Sequence, residues 1–183
     1  MAVLAQGGMT VAIFASDKGP GDPERSSLMS ETGRIFGRKG GRLLCVAEDG
    51  VIPVPLITAA RMAGGDVEIL ADASIVLPPA LAGVPMAVIE DRAERLAVLG
   101  QRANVIVGLP GSIASAASMF SAWAQTPELP VLMLNRHRAF EAIRGFAVDV
   151  LAVSVAAHDR RIGFADTVED LWNKAQAASQ ARR

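Results

Sequence analysis

The sequence predicts an α/β protein built on a doubly wound, mostly parallel sheet with helices on both faces. Three observations predict it. Short apolar runs alternate with helical segments of roughly ten to sixteen residues, the pattern of strands joined by crossover helices. The chain is 51% apolar yet only 4% aromatic, with no Tyr, so its core is built from Ala, Val, Leu and Ile, as in parallel strands buried on both faces. Helix stops recur as the glycine pairs Gly40-Gly41 and Gly64-Gly65, each just before an apolar run. This is a Rossmann-like arrangement, in which ligands bind beyond the carboxyl ends of the strands.

The 183 residues suit a single domain over 1–183, with 1–9 as an N-terminal tail. A net charge of −1 lacks the basic footprint of a nucleic-acid binder, so no nucleic-acid partner is expected. Cys45 is the one cysteine; it permits no internal disulfide and reads as a small buried hydrophobe. The apolar start of the chain has no basic n-region, and no run reaches the length of a membrane span. A cytoplasmic location without membrane contact is expected.

Val11-Ala12-Ile13-Phe14-Ala15 is the first strand, followed by the turn-rich loop Ser16-Asp17-Lys18-Gly19-Pro20-Gly21-Asp22. Pro23 and Glu24 start a helix that runs to about Lys39 and buries Leu28, Ile35 and Phe36. Arg42-Leu43-Leu44-Cys45-Val46-Ala47 is the second strand, closed by the acidic turn Glu48-Asp49-Gly50, with a helix over 56–63 behind it. Residues 66–70 form the third strand, and the proline-rich 77–85 reads as a loop over the sheet edge. The helix over 91–102 offers Ala93, Leu96, Ala97 and Leu99 to the sheet and feeds a strand near Asn104.

Val105-Ile106-Val107-Gly108 then breaks at Leu109-Pro110-Gly111 and restarts as a small-residue helix carrying Phe120 and Trp123. Pro130 to Leu134 is another buried strand, residues 139–146 a short helix, and 148–155 either a strand or a buried helix. Thr167 or Asp166 caps a terminal helix. Trp123 and Trp172 read as packing residues.

Three loops at the carboxyl ends compete for function: those at Ser16, at Ala47 and at Gly108. The turn at Gly111 is either a plain structural corner or a phosphate cradle, because a helix beginning in Gly and Ser presents bare N–H groups at a positive end. The hydroxyls of Ser112, Ser115 and Ser118 add donors there, and Lys18 adds a charge. Glu48 and Asp49 stand where a dinucleotide enzyme reads ribose, but the companion GxGxxG is missing. His137 and His158 lack metal-ligand spacing, and no metal or cofactor is expected. Gly108-Leu109-Pro110-Gly111-Ser112 is not the G-x-S-x-G elbow of a hydrolase.

The order of these elements resembles the LOG (LONELY GUY), or lysine-decarboxylase-like, family of nucleoside 5′-monophosphate phosphoribohydrolases. The resemblance rests on Ile13-Phe14-Ala15-Ser16, Asp22-Pro23, Ala63-Gly64-Gly65-Asp66-Val67 and, above all, the stretch from Arg95 to Asn135. There the family pattern Leu-Pro-Gly-Gly-x-Gly-Thr-x-x-Glu stands against Leu109-Pro110-Gly111-Ser112-Ile113-Ala114-Ser115-Ala116-Ala117-Ser118. Carried over, the family's catalytic Arg falls on Arg95 and its catalytic Glu on Ser118. Its glycine-rich loop after the second strand is replaced by residues that include Glu48 and Asp49, which would repel a phosphate at short range.

The resemblance therefore implies a small-molecule binding protein for a phosphate-bearing ligand, either a nucleoside monophosphate or a phosphorylated pterin, since some relatives carry molybdenum cofactor. Ser16, Lys18, Gly111, Ser112, Ser115 and Ser118 are the expected binding residues, with no efficient turnover. One alternative is a phosphoribohydrolase that cleaves an N-glycosidic bond with Arg95 and a relocated carboxylate from Glu48 or Asp49. The other is a purely structural, self-assembling subunit. A homodimer or higher homo-oligomer is also implied, with Met119 and Trp123 on its interface helix.

Overall fold

The computed structural model describes residues 8–16 and 23–181. Lys18, the rest of the loop 17–22 and most of the N-terminal tail lie outside the described residues. The expectation of an α/β sheet holds: seven strands lie in the order β4-β3-β2-β1-β5-β6-β7, and each neighbouring pair is parallel. These strands are β1 Thr10–Phe14, β2 Arg42–Ala47, β3 Asp66–Ala71, β4 Met86–Val88, β5 Val105–Gly108, β6 Val131–Leu134 and β7 Ile162–Ala165. Winding runs outward in both directions from the β1–β5 seam, so the two loops that leave those strands diverge and open a crevice between them.

Strand alternation divides the core in two. Val11 and Ile13 of β1 face one cluster and Ala12 and Phe14 the other, because successive side chains point to opposite faces. The first face is covered by α1 (Pro23–Arg38), α2 (Val54–Met62) and α8 (Val168–Gln180), the second by α3 (Arg92–Arg102), α4 (Ile113–Gln125) and α5 (Glu141–Phe146). On the first face α1 and α2 approach to backbone contact: a Cβ at Gly33 would lie 2.2 Å from the Leu56 carbonyl. Only glycine fits there. Trp172 of α8 stacks edge-on against Phe36 of α1 at 5.0 Å between ring centroids, the packing role expected for it.

α3 and α8 start where the sequence places them. The Asp91 carboxylate accepts from the Glu94 N–H at 2.8 Å and the Thr167 hydroxyl from the Asp170 N–H at 3.1 Å, each satisfying a donor that the first helical turn leaves open.

Four expectations change. β4 and β7 were not legible as strands, since β4 has three residues behind Pro85 and β7 is the short run Ile162-Gly163-Phe164-Ala165. Residues 148–155 are neither strand nor buried helix: α5 continues through a π-helical turn, Ala147–Leu151, into α6 (Ala152–Ser154), and much of that run is exposed. Ala93 faces solvent, and Arg95 takes the buried position near it. Met119 is fully buried in the core, so it cannot form the expected interface face of α4; Trp123 is half-buried against the same cluster. Among the described residues no helix is long and apolar enough to cross a membrane.

Candidate functional site

A cleft opens at the β1–β5 seam, at the carboxyl edge of the sheet. Its walls come from the end of β1 (Phe14, Ala15, Ser16), the end of β2 (Val46, Glu48, Asp49) and the start of α4 (Ser112, Ala114, Ser115, Ser118). These are the three loops the sequence singled out. Space between its walls, open solvent at the mouth included, is about 440 Å³, and the enclosed part is small, about 40 Å³.

The turn into α4 explains why Gly111 is glycine. A Cβ there would lie 2.8 Å from Ser115 Oγ and 3.2 Å from the Ser16 amide nitrogen, so a side chain would turn the Ser115 hydroxyl aside and need β1 to give by a few tenths of an ångström. Ser112 then caps the helix: its hydroxyl accepts from the Ser115 N–H at 3.1 Å. Ser115 returns the bond, its hydroxyl accepting from the Ser112 N–H at 3.1 Å and donating to the Ser112 carbonyl at 2.9 Å. The capping box engages both serine oxygens and two of the first amides. It leaves the N–H groups of Ile113 and Ala114 without an acceptor among the described residues.

Glu48 forms the floor of the cleft. Its Oε2 takes the Arg95 Nη2 at 2.7 Å, its Oε1 accepts from the Ser118 hydroxyl, and Arg92 Nε stands 3.7 Å away. Arg92 Nη2 in turn donates to Ser118 Oγ at 2.8 Å. Ser118 is thus bonded to a carboxylate supplied from the end of β2. The repulsion expected of Glu48 toward a phosphate is offset, because two guanidinium groups stand beside its single charge.

Arg95 does not stand at the cleft surface. Its side chain is 3% exposed, its Nη1 donates to the carbonyls of Ile89 at 2.6 Å and Glu90 at 3.2 Å, and its buried Nε has no partner among the described residues. It reaches the cleft only through Glu48. Arg92 was missed by sequence reasoning. The available signal was its i, i+3 spacing from Arg95 at the start of a helix, which puts both guanidinium groups on one face.

Asp49 lies at the mouth with φ +54° and Gly50 follows at +74°, a tight reversal between the bridged residues Glu48 and Val51. The Asp49 N–H donates to Asp72 Oδ2 at 2.8 Å and the Gly50 N–H to Ser74 Oγ at 2.9 Å, which fastens the acidic turn to the loop after β3. Although burial pushes the Asp72 carboxyl upward, bonds from the Ser74 hydroxyl and from the Asp49 and Ser74 N–H groups, together with the Arg95 charge, hold it below the usual range. Ser16 is buried at the seam. His137 pairs with Glu24 at 2.6 Å on the surface, and His158 opens α7 (His158–Arg161). Among the described residues no group of His, Cys, Asp and Glu is arranged to hold a metal ion.

No family model matches the chain, and no curated protein matches it. Solved structures do. The structural-genomics target TM1055 is 22% identical with a TM-score of 0.68, over 92% of this chain and 99% of that one. The Moco carrier protein from Chlamydomonas reinhardtii is 15% identical with a TM-score of 0.69, over 96% and 99%. The molybdenum cofactor binding protein from the phototrophic bacterium Rippkaea orientalis is 12% identical with a TM-score of 0.67, over 94% and 98%. At these identities the likeness establishes the shared fold.

Proposed function

We propose that this chain binds a small phosphate-bearing molecule in the seam cleft, with the phosphate at the amino end of α4. The observation that carries the reading is the pair of uncapped amides at Ile113 and Ala114, at the positive end of a thirteen-residue helix and beside cleft-lining Ser112 and Ser115. Backbone N–H groups and a helix dipole together favour an anion. Arg92 supplies a half-exposed cation at the edge, on the far side of Ser118. Two of the fold neighbours are described as a carrier and a binding protein for molybdenum cofactor, which makes a phosphorylated pterin one ligand to test and a nucleoside monophosphate the other. The resemblance to the LOG family supports the same class.

The second reading is cleavage of a nucleoside 5′-monophosphate at its N-glycosidic bond. One observation favours it: the Glu48 carboxylate is bonded to Ser118, the residue at the motif-Glu position. In that reaction ribose C1′ gains positive charge as the bond to the base breaks, and a carboxylate beside it lowers the barrier electrostatically. Glu48 would supply that charge, and Arg95 would be its positioning residue. We also infer a homodimer.

Thermal-shift titration with AMP, ribose 5-phosphate and a pterin phosphate tests binding, since a ligand at 100 times its Kd stabilises by about 2.7 kcal/mol. Chromatography of the same AMP mixture for free adenine tests turnover. Binding without adenine supports the first reading; adenine release that falls at least ~100-fold in Glu48→Gln supports the second. Arg92→Gln is expected to weaken ligand binding about tenfold with little effect on stability. No shift with any of the three ligands favours a purely structural role.

A further inference from the structure

A second cavity lies between α1 and α2 and shares no lining residue with the seam cleft. Gly33 and Gly37 let the backbone of α1 touch that of α2 at Leu56 and Ala60. Beside this contact, Ala59 and Ala63 keep the α2 wall low, and a groove opens. It holds about 720 Å³ and is open to solvent, within the size range of small-molecule sites. Ser27, Ser30, Arg34 and Arg38 line it from α1, and Met62 of α2, 84% exposed, adds an apolar side chain.

Charge in this groove is unbalanced. Glu31, the one carboxylate of its lining, is taken by Arg136 at 3.1 Å. The side chains of Arg34 and Arg38 have no hydrogen-bond or ion-pair partner among the described residues. They stand at i and i+4 on one face of α1, where like charges repel and weaken a helix. Arg38, in the last turn, gains from the negative end of the helix; Arg34, one turn further in, does not. We propose that the groove binds a small organic oxyanion, a phosphate or a carboxylate on an apolar body, whatever the cleft takes. The two guanidinium groups, roughly 5–6 Å apart at Cβ, hold the oxyanion between them by charge-assisted hydrogen bonds. Ser27 and Ser30 add hydroxyl donors from the same face of α1, and Ala59, Met62 and Ala63 pack the apolar body. The bound anion turns the repulsion of the free protein into attraction.

Nitrogen-15 NMR of the full chain tests this, with phenyl phosphate, phthalate or inorganic phosphate added to about 10 mM, which saturates a millimolar site. Phenyl phosphate or phthalate is expected to shift the amide signals of Ser30, Arg34, Ala59 and Ala63 along saturating curves. The tighter of the two separates phosphate from carboxylate recognition. Arg34→Gln combined with Arg38→Gln should weaken that binding at least ~tenfold. Its melting midpoint should stay at or above the wild type's, because the change relieves a repulsion. Ala59→Leu keeps both arginines but fills the groove, and should weaken binding as much. Arg160→Gln with Arg161→Gln removes the same charge from α7 and should bind as the wild type does. Shifts confined to Ile113 and Ala114 assign the anion to the cleft and overturn the proposal. So do the absence of saturating shifts, inorganic phosphate that binds as well as both organic anions, affinity unchanged in the arginine or leucine variants, or a midpoint lowered by loss of the two arginines.

Discussion

Arg95 on α3 and Glu48 at the end of β2 are 47 residues apart in sequence and 2.7 Å apart in space. The bond joins the two faces of the cleft floor. Because Arg95 is buried, taking away its carboxylate leaves a cation bonded to two carbonyls and to no counter-charge, with the Asp72 carboxylate acting on it only at a distance. Glu48→Ala is expected to cost about 3 kcal/mol, as for other broken buried pairs. Glu48→Gln keeps one acceptor for Arg95 and turns its amide N–H toward Ser118 Oγ, which can accept, and is expected to cost about 1 kcal/mol. Urea denaturation midpoints measure the difference, and equal losses would show that a neutral acceptor recovers nothing and that the charge, which both variants lack, carries the whole interaction.

The start of α4 offers a second comparison. Ser112→Ala removes the cap and is expected to destabilise by about 1 kcal/mol while leaving the chain path intact. Gly111→Ala pushes a Cβ into Ser115 Oγ and toward Ser16, an overpacking expected to cost about 1–3 kcal/mol. The two diverge in binding: Gly111→Ala turns the Ser115 hydroxyl aside and shifts β1 against the helix end, and should weaken phosphate-ligand affinity more than Ser112→Ala. Calorimetric titration of both variants checks the order.

Cys45 lies in β2 with no exposed surface, and burial pushes its thiol up to about 12. The folded protein is therefore expected to resist iodoacetamide at pH 8, where a free thiol reacts. Labelling should appear only with unfolding, which makes this thiol a reporter of global opening; mass spectrometry of protein pulsed along a urea gradient reads it directly.

Acid should weaken the opposite edge of the sheet. Glu68 of β3 receives Arg102 at 2.7 Å and Arg42 at 3.0 Å, and the Arg102 bond, against burial, holds its carboxyl below the ordinary 4.5. The folded state thus binds this proton less readily than the unfolded chain. The stabilisation is fully present above about pH 4.5 and is lost as pH falls through the lower folded value. Asp72 works in the same direction at the cleft mouth. Thermal midpoints should be flat from pH 6 to 5 and fall below 4.5, less steeply in Arg102→Gln.

The sheet was legible where strands of five or six residues were apolar after their first position, as at Thr10–Phe14 and Arg42–Ala47. It was not legible at Met86–Val88 and Ile162–Ala165, whose strand character comes from pairing with β3 and β6 and not from local pattern. The location of the cleft followed from Gly111, Glu48 and Ser118, because strand order brings those loops together. The pairing of Glu48 with Ser118 was out of reach, because it depends on a side chain crossing from β2 to α4; the i, i+3 spacing put Arg92 on one face with Arg95, but spacing within a helix does not show that its guanidinium meets Ser118. The exposed stretch through α5 and α6 was misread because an apolar run signals burial by something, without saying by what.

The order β4-β3-β2-β1-β5-β6-β7 has a consequence for how the chain could be cut. Severed at residues 89–91, it would part into a β1–β4 piece and a β5–β7 piece, each ending in an unsatisfied central strand. The cleft would belong to neither, with Glu48 on one fragment and Ser118, Arg92 and Arg95 on the other. Fragments that recover ligand binding only when mixed would reconstitute the seam by strand pairing, and the molecule would serve as a split reporter whose signal is its own site.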